Sequence, residues 1–161
     1  MASQKPLVII AGQIQQLPAG DTLAAAAQEV AVFAKLNANA GAIVIGTPVY
    51  ASSATQVDKA GAAALATSKV VGVMQSASTA SGVSGFIQKD GVLTATTTQW
   101  DAVAGTTGGL AFGTLYYLSG TAGLITATAP TAAGSYVVCM GTALSTTELE
   151  INFSATSTLL S

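Results

Sequence analysis

From residue 41 onward the chain is written almost wholly in short runs of Val, Ile, Thr, Tyr and Phe. They read AIVIGTPVYA, SKVVGVMQSA, SGFIQKDGVLTATT, FGTLYYLS, AGLITATA, GSYVVCMGTAL and TELEINF. Gly, Ser, Asn and Asp break these runs about every 8–12 residues, which is the grammar of short strands joined by turns. LEINF alternates Leu149, Ile151 and Phe153 with Glu150 and Asn152, so one face is set for burial and the other for water. The Asp90-Gly91 step inside IQKDGVLT predicts a hairpin. The expectation is an all-β fold, a small barrel or sandwich with an extended N-terminal arm.

The chain also repeats itself. Gly46-Thr47-x-x-Tyr50 returns as Gly113-Thr114-x-x-Tyr117, and the Val70-Val71 run with Met74 returns loosely as Val137-Val138 with Met140. The matching stretches are 46–78 and 113–145. Either the halves are a duplication, or the match is chance between segments drawn from the same few residue types. If it is a duplication, the expected object is one barrel closed by two three-stranded halves around Tyr50, Tyr117, Val71, Val138, Met74 and Met140.

Residues 1–20 are read as the arm and 21–161 as a single β domain. Leu7 to Ile10 is a strand candidate, followed by AGQIQQLPAGD with its closing turn. Lys5, Leu7, Ile9, Ile14 and Leu17 have little to bury on their own side. They are the candidates for pairing with a neighbouring chain, an ordinary edge strand being the other reading. Residues 21–36 read two ways. Asp21 caps a helix with Leu23, Ala27, Val30 and Ala34 on one stripe, or Val30, Val32, Ala34 and Leu36 alternate as a strand, which suits the surroundings better.

Charge narrows the partners. Only 7% of residues are charged, there is no Arg or His, and the net charge is −2. Clustered cations are what bind phosphates, so nucleic acid is not expected as a partner. Mean hydropathy is +0.58, yet no apolar run approaches the ~20 residues of a spanning helix, and no membrane association is expected. A small-sided, apolar, charge-poor surface calls for cover by other copies or by a larger lattice. Cys139 is the single cysteine, flanked by Val137, Val138 and Met140, and reads as a buried hydrophobe of a protein made in a reducing cytoplasm.

Residues for chemistry are scarce. Without His there is neither a serine triad nor a His-containing zinc site, and no cofactor is expected. Glu148 and Glu150 share one strand face, where solvated carboxylates are the simple reading and a glycosidase dyad the remote one. Asp58-Lys59 and Lys89-Asp90 read as soluble turn tips. GTTGGLAFGT, residues 105–114, lacks the GK[ST] ending of a phosphate loop and reads as a flexible joint between the halves. Trp100, like Tyr50 and Tyr117, is a candidate core anchor or subunit contact.

GQIQQLPAGDTL near the N-terminus resembles the opening of many tailed-bacteriophage virion proteins. Gly113 to Ser119, Gly123 to Thr126, Ala129 to Thr131, Gly134 to Ser145 and Glu148 to Ile151 resemble a module of phage fibre and capsid-decoration proteins. The Ala-rich Leu23 to Ala34 has no counterpart there. The resemblance implies a non-enzymatic, self-assembling protein. Its first form is a homotrimeric cement protein on the outer surface of the virion capsid, with the major capsid protein as partner. A short fibre, tail-tip or adaptor protein is the second form. A carbohydrate-binding module is a third reading, in which Trp100, Tyr116 and Tyr117 would face the sugar.

Overall fold

The computed structural model describes residues 7–10, 13–16, 32–153 and 158–160. Near the N-terminus β1 (Leu7–Ile10) and β2 (Gln13–Gln16) pair antiparallel, Ile10 opposite Gln13. Within the residues read as the arm, the described part is this hairpin. A strand edge satisfies its backbone with the nearest strand available, here its own continuation. Residues 21–31 lie outside the described residues, and the alternation that follows them is a strand, β3 (Val32–Asn37).

A first half continues with β4 (Ile43–Val44), β5 (Pro48–Ala51), β6 (Gln56–Lys59), the single-turn α1 (Leu65–Ser68), β7 (Val70–Met74), β8 (Ser78–Thr79) and β9 (Ser84–Gln88). A second half holds β10 (Gly91–Thr94), α2 (Thr97–Ala104), β11 (Leu115–Leu118), β12 (Ile125–Thr126), β13 (Tyr136–Val137), β14 (Cys139–Ala143) and β15 (Glu148–Ile151). β16 (Thr158–Leu159) pairs with β13, and β4 with β8.

The fold is all-β in its sheets, and its two main sheets share one strand order. The first runs β3-β9-β7-β5-β6 and closes into a barrel, and the second runs β10-β15-β14-β11-β12 and stays open. Their registers correspond pair by pair. Val49 faces Gly72 and Tyr50 faces Val70, with a bulge between; Tyr116 faces Gly141 and Tyr117 faces Cys139, with a bulge at the same place. The Gly-Thr turns correspond as well. Gly46 donates to the Met74 carbonyl and Met74 to Thr47, as Gly113 donates to Ala143 and Ala143 to Thr114. Both glycines have positive φ, 84° and 71°, a conformation that favours glycine.

Two expectations change here. Val70–Met74 corresponds to Cys139–Ala143, so Val71 stands where Met140 does and the Val137-Val138 match is displaced by two residues. The barrel is closed by the first half alone, with β3 pairing parallel to β6 through Leu36–Gln56 and Asn37–Val57. In the second half the residue after next beyond Thr94 is Thr96, which caps α2. Its side chain accepts from the Gln99 amide while the Gln99 side chain accepts from the Thr96 amide. The capping box turns the chain into a helix where β3 runs on to close the barrel. Thr96-x-x-Gln99 with Gly105 at the far end was the signal for this helix, which the strand-rich surroundings obscured.

The Asp90-Gly91 step is not a hairpin turn. β9 has β3 on one edge and β7 on the other, so no edge is left for β10, which pairs with β15 instead. The step joins the two halves, whereas residues 105–114, the expected joint, connect α2 to β11 within the second half.

The barrel interior is small: Ile43, Val49, Val57, Met74 and Ile87, flanked by Phe33 and Val71. A larger core joins the halves. Ile45, Ala60, Ala62, Val70 and Val73 of the first meet Leu93, Ala95, Trp100, Tyr116, Leu118, Ile125, Met140, Leu149 and Ile151 of the second. Trp100 lies against Gly46 and donates its indole N–H to the Thr147 carbonyl at 2.9 Å. The Ala62 and Tyr136 amides donate to Ser119 and Ala62, which stitches the joint together.

Candidate functional site

Two surfaces stand out, one on each half. At the mouth of the barrel is a cavity of about 400 Å³ lined by Phe33, Ala51, Val57, Val70, Val71 and Phe153, with Lys35 and Lys89 also in its wall. Phe33 and Lys35 come from the inward face of β3, opposite Ile87 and Gly85 of β9. Lys35 is steadied by donating to the Ala54 carbonyl. The cavity is an apolar floor carrying two cations.

The outer face of the second sheet is the other surface. Val92, Glu150, Thr142 and Leu115 form one cross-strand row, because Val92 pairs with Glu150, Glu150 with Thr142, and Thr142 with Leu115. Val92 and Leu115 are exposed, as is Leu144 at the end of β14. Phe112, just before the Gly113 turn, is 80% exposed. Large apolar side chains on strands and their adjoining turns, with two carboxylates among them, make a face suited to a partner. Glu148 accepts from the Ser145 hydroxyl at 3.1 Å, and Glu150 is exposed, an arrangement of solvated carboxylates.

The sequence candidates are spread across the molecule. Lys5 and Leu17 lie outside the described residues, and Leu7, Ile9 and Ile14 belong to the β1–β2 hairpin. Trp100 is fully buried. Tyr50 and Tyr117 occupy equivalent places beside the two bulges and are half-buried. Tyr116, not Tyr117, fills the second sheet, and its hydroxyl accepts from the Ala111 amide at 3.0 Å. Of two adjacent strand residues only one can face inward, and the repeat held the clue, since Val49 is the inward partner of Tyr50. Met74, Met140 and Val138 are buried, whereas Val71 is half-buried. Cys139 is a half-exposed free thiol rather than a buried one, because the bulge turns it outward from Met140. Asp58 and Lys59 are strand residues of β6, not a loop tip, and Asp58 accepts from Asn39 at 2.8 Å. The sequence does not show Phe112, Phe33 or the presence of Lys35 and Lys89 in one cavity, since only the fold brings them to these surfaces.

The Gly-rich loop has its own anion. The Asp101 carboxylate accepts from the Gly109 amide at 2.7 Å, the Gly108 amide at 3.0 Å and the Thr106 hydroxyl at 2.9 Å. The Gly109 amide foremost, then the Gly108 amide and the Thr106 hydroxyl, hold its carboxyl below the usual range, against the opposing effect of burial. The amides that could have cradled a phosphate are spent on Asp101. Among the described residues no group of three or more His, Cys, Asp or Glu side chains is placed to hold a metal, and no helix is long and apolar enough to cross a membrane. The chain matches no family model, no characterised protein and no solved structure.

Proposed function

We propose that this is a non-enzymatic virion structural protein, a decoration or cement protein that binds between major capsid subunits and stabilises a phage head. The observation that carries the reading is the set of exposed apolar side chains on one half, Val92 and Leu115 on strands and Leu144 and Phe112 in the adjoining turns, in a chain with so few charges. Such a face gains free energy chiefly by being covered, at ~25 cal/mol per Å² of apolar surface. The similarity of residues 113–151 to the phage decoration and fibre module supplies the kind of partner. Many weak, equivalent contacts around a shell add through avidity, so no deep site or catalytic group is called for. The protein is made in the host cytoplasm and ends on the capsid's outer surface.

The test mixes purified protein with phage shells that lack it, followed by sedimentation and thermal challenge. Binding at many equivalent sites and a raised shell disruption temperature are expected. Absence of binding overturns the reading, and binding at only a few sites at one vertex or at the tail transfers the protein to the fibre or adaptor class.

A further inference from the structure

The joint between the halves is asymmetric, and its two sides recur on the surface. The second half enters the joint with Leu93, Leu118, Ile125 and Met140, all buried. By strand register, the first half carries Phe33, Ala51, Val57 and Val71 at those positions, and there they line the open cavity. The first half in turn receives the second with Ile45 and Val73, and Gln88, paired with Val73 across the strands, is buried beside them. Their equivalents on the second half are Phe112 and Glu150, which are exposed, and Thr142, which is half-buried. Ile45 is 8% exposed and Phe112 is 80% exposed, although each directly precedes its Gly-Thr turn. Were the halves related by a two-fold axis, equivalent positions would be buried alike. They pack head to tail, which leaves, among the described residues, an open socket on the first half, with Phe153 of the second in its lining, and an exposed wall on the second.

The charges differ at these same positions in a complementary sense. Where the second half has the buried Ala95 and Ile151, the socket has Lys35 and Lys89. Where the first half has Phe86 and Gln88, the wall has Glu148 and Glu150. Residues 91–161 contain three carboxylates and no Lys or Arg, whereas residues 32–90 contain four lysines and two carboxylates.

We infer that a second copy of this chain occupies the socket, setting its Phe112–Glu150 wall against the Phe33–Val71 floor, with Glu150 and Glu148 facing Lys89 and Lys35. The contact repeats between chains the head-to-tail packing found within one, and a contact of that kind builds a ring where its rotation closes and a filament where it does not. It rests on the self-assembling part of the proposed function and names the surfaces that part uses.

Light scattering of the full chain at low and high salt provides the test, using K89E, E150K and the double variant K89E/E150K. Both residues are exposed, so each variant should keep the fold of the single chain, checked by its circular dichroism spectrum. The wild type is expected at a multiple of 15.8 kDa. Each single reversal should weaken association about tenfold or more, since it sets like charges together, and the double variant should recover it. A monomeric wild type, an oligomer indifferent to both reversals, or a double variant no better than the singles each overturns the contact. Shells take no part in this measurement. A monomer that still binds shells refutes the contact alone, and an oligomer that ignores shells refutes the cement reading alone.

Discussion

The first half closes its five strands into a barrel, and the second, with the same strand order and the same bulge, leaves its sheet open. The difference is made within a few residues. After Ala34, β3 runs on through Leu36 and Asn37 to pair with β6. After Thr94, the second half places Ala95, which still donates to the Thr147 carbonyl, and then the Thr96 cap of α2. The closed half fills its interior with five modest side chains, whereas the open half needs Trp100, Tyr116 and Leu110 and the wall of its neighbour. One topology thus supports a self-contained barrel or a sheet that must be covered. What decides is whether the backbone of one short segment is satisfied by a strand or by a helix turn.

The comparison can be broken most directly at Trp100. Trp100→Ala empties the centre of the open half and should cost about 3–5 kcal/mol in chemical denaturation. A loss below 1 kcal/mol would mean that the barrel, not the plugged sheet, holds the molecule together.

Glycines at equivalent places sharpen it further. A Cβ on Gly141 would stand 2.0 Å from the Glu150 carbonyl oxygen at φ 150°, whereas on Gly72 the first contact is the Ile87 Cγ2 at 2.5 Å and the next the Gln88 oxygen at 2.7 Å. Gly141→Ala and Gly72→Ala should each destabilise by about 1–3 kcal/mol, Gly141→Ala the more, because backbone cannot rotate away as a side chain can. Equal midpoints in urea would contradict that ranking.

Thr96→Ala removes one side of the capping box and should cost about 1 kcal/mol, with the loss seen as lower protection of the α2 amides in hydrogen exchange. Protection unchanged across residues 97–104 would show that the helix is held by Trp100 rather than by its cap.

The smallest effect concerns pH. The pKa of the Asp101 carboxyl is lowered in the fold, so its stabilisation is present above the ordinary carboxylate value of about 3.9 and is lost as pH falls through its lower folded value. Asp101→Asn should flatten the acid limb of the stability curve and loosen residues 105–109, leaving the barrel untouched. An acid limb identical to the wild type would assign it to other carboxylates.

Strand content and the first arm of the repeat were legible because they are local. Val, Ile, Tyr and Thr runs broken by Gly state their own conformation, and Gly46-Thr47 and Gly113-Thr114 state their own turn. The second arm was misaligned by two residues because Val-Val resembles Val-Val more than it resembles Cys-Met. Only the Tyr117–Cys139 pairing shows where the strand begins. The two surfaces were not legible. Lys35 and Lys89 are distant in sequence, and Phe112 reads as one more core residue until its neighbours are known.

By itself, then, the sequence determined that the protein is built of short strands, that its charge lies unevenly, with no cation after residue 90, and that one turn is used twice. Tertiary structure decided which tyrosine faces inward, whether Asp90-Gly91 makes a hairpin or a joint, and which sheet closes. The physical reason is that alternation and turn chemistry are properties of neighbouring residues, whereas a strand's partner is set by whichever backbone edge remains unpaired. That is a property of the whole assembled sheet.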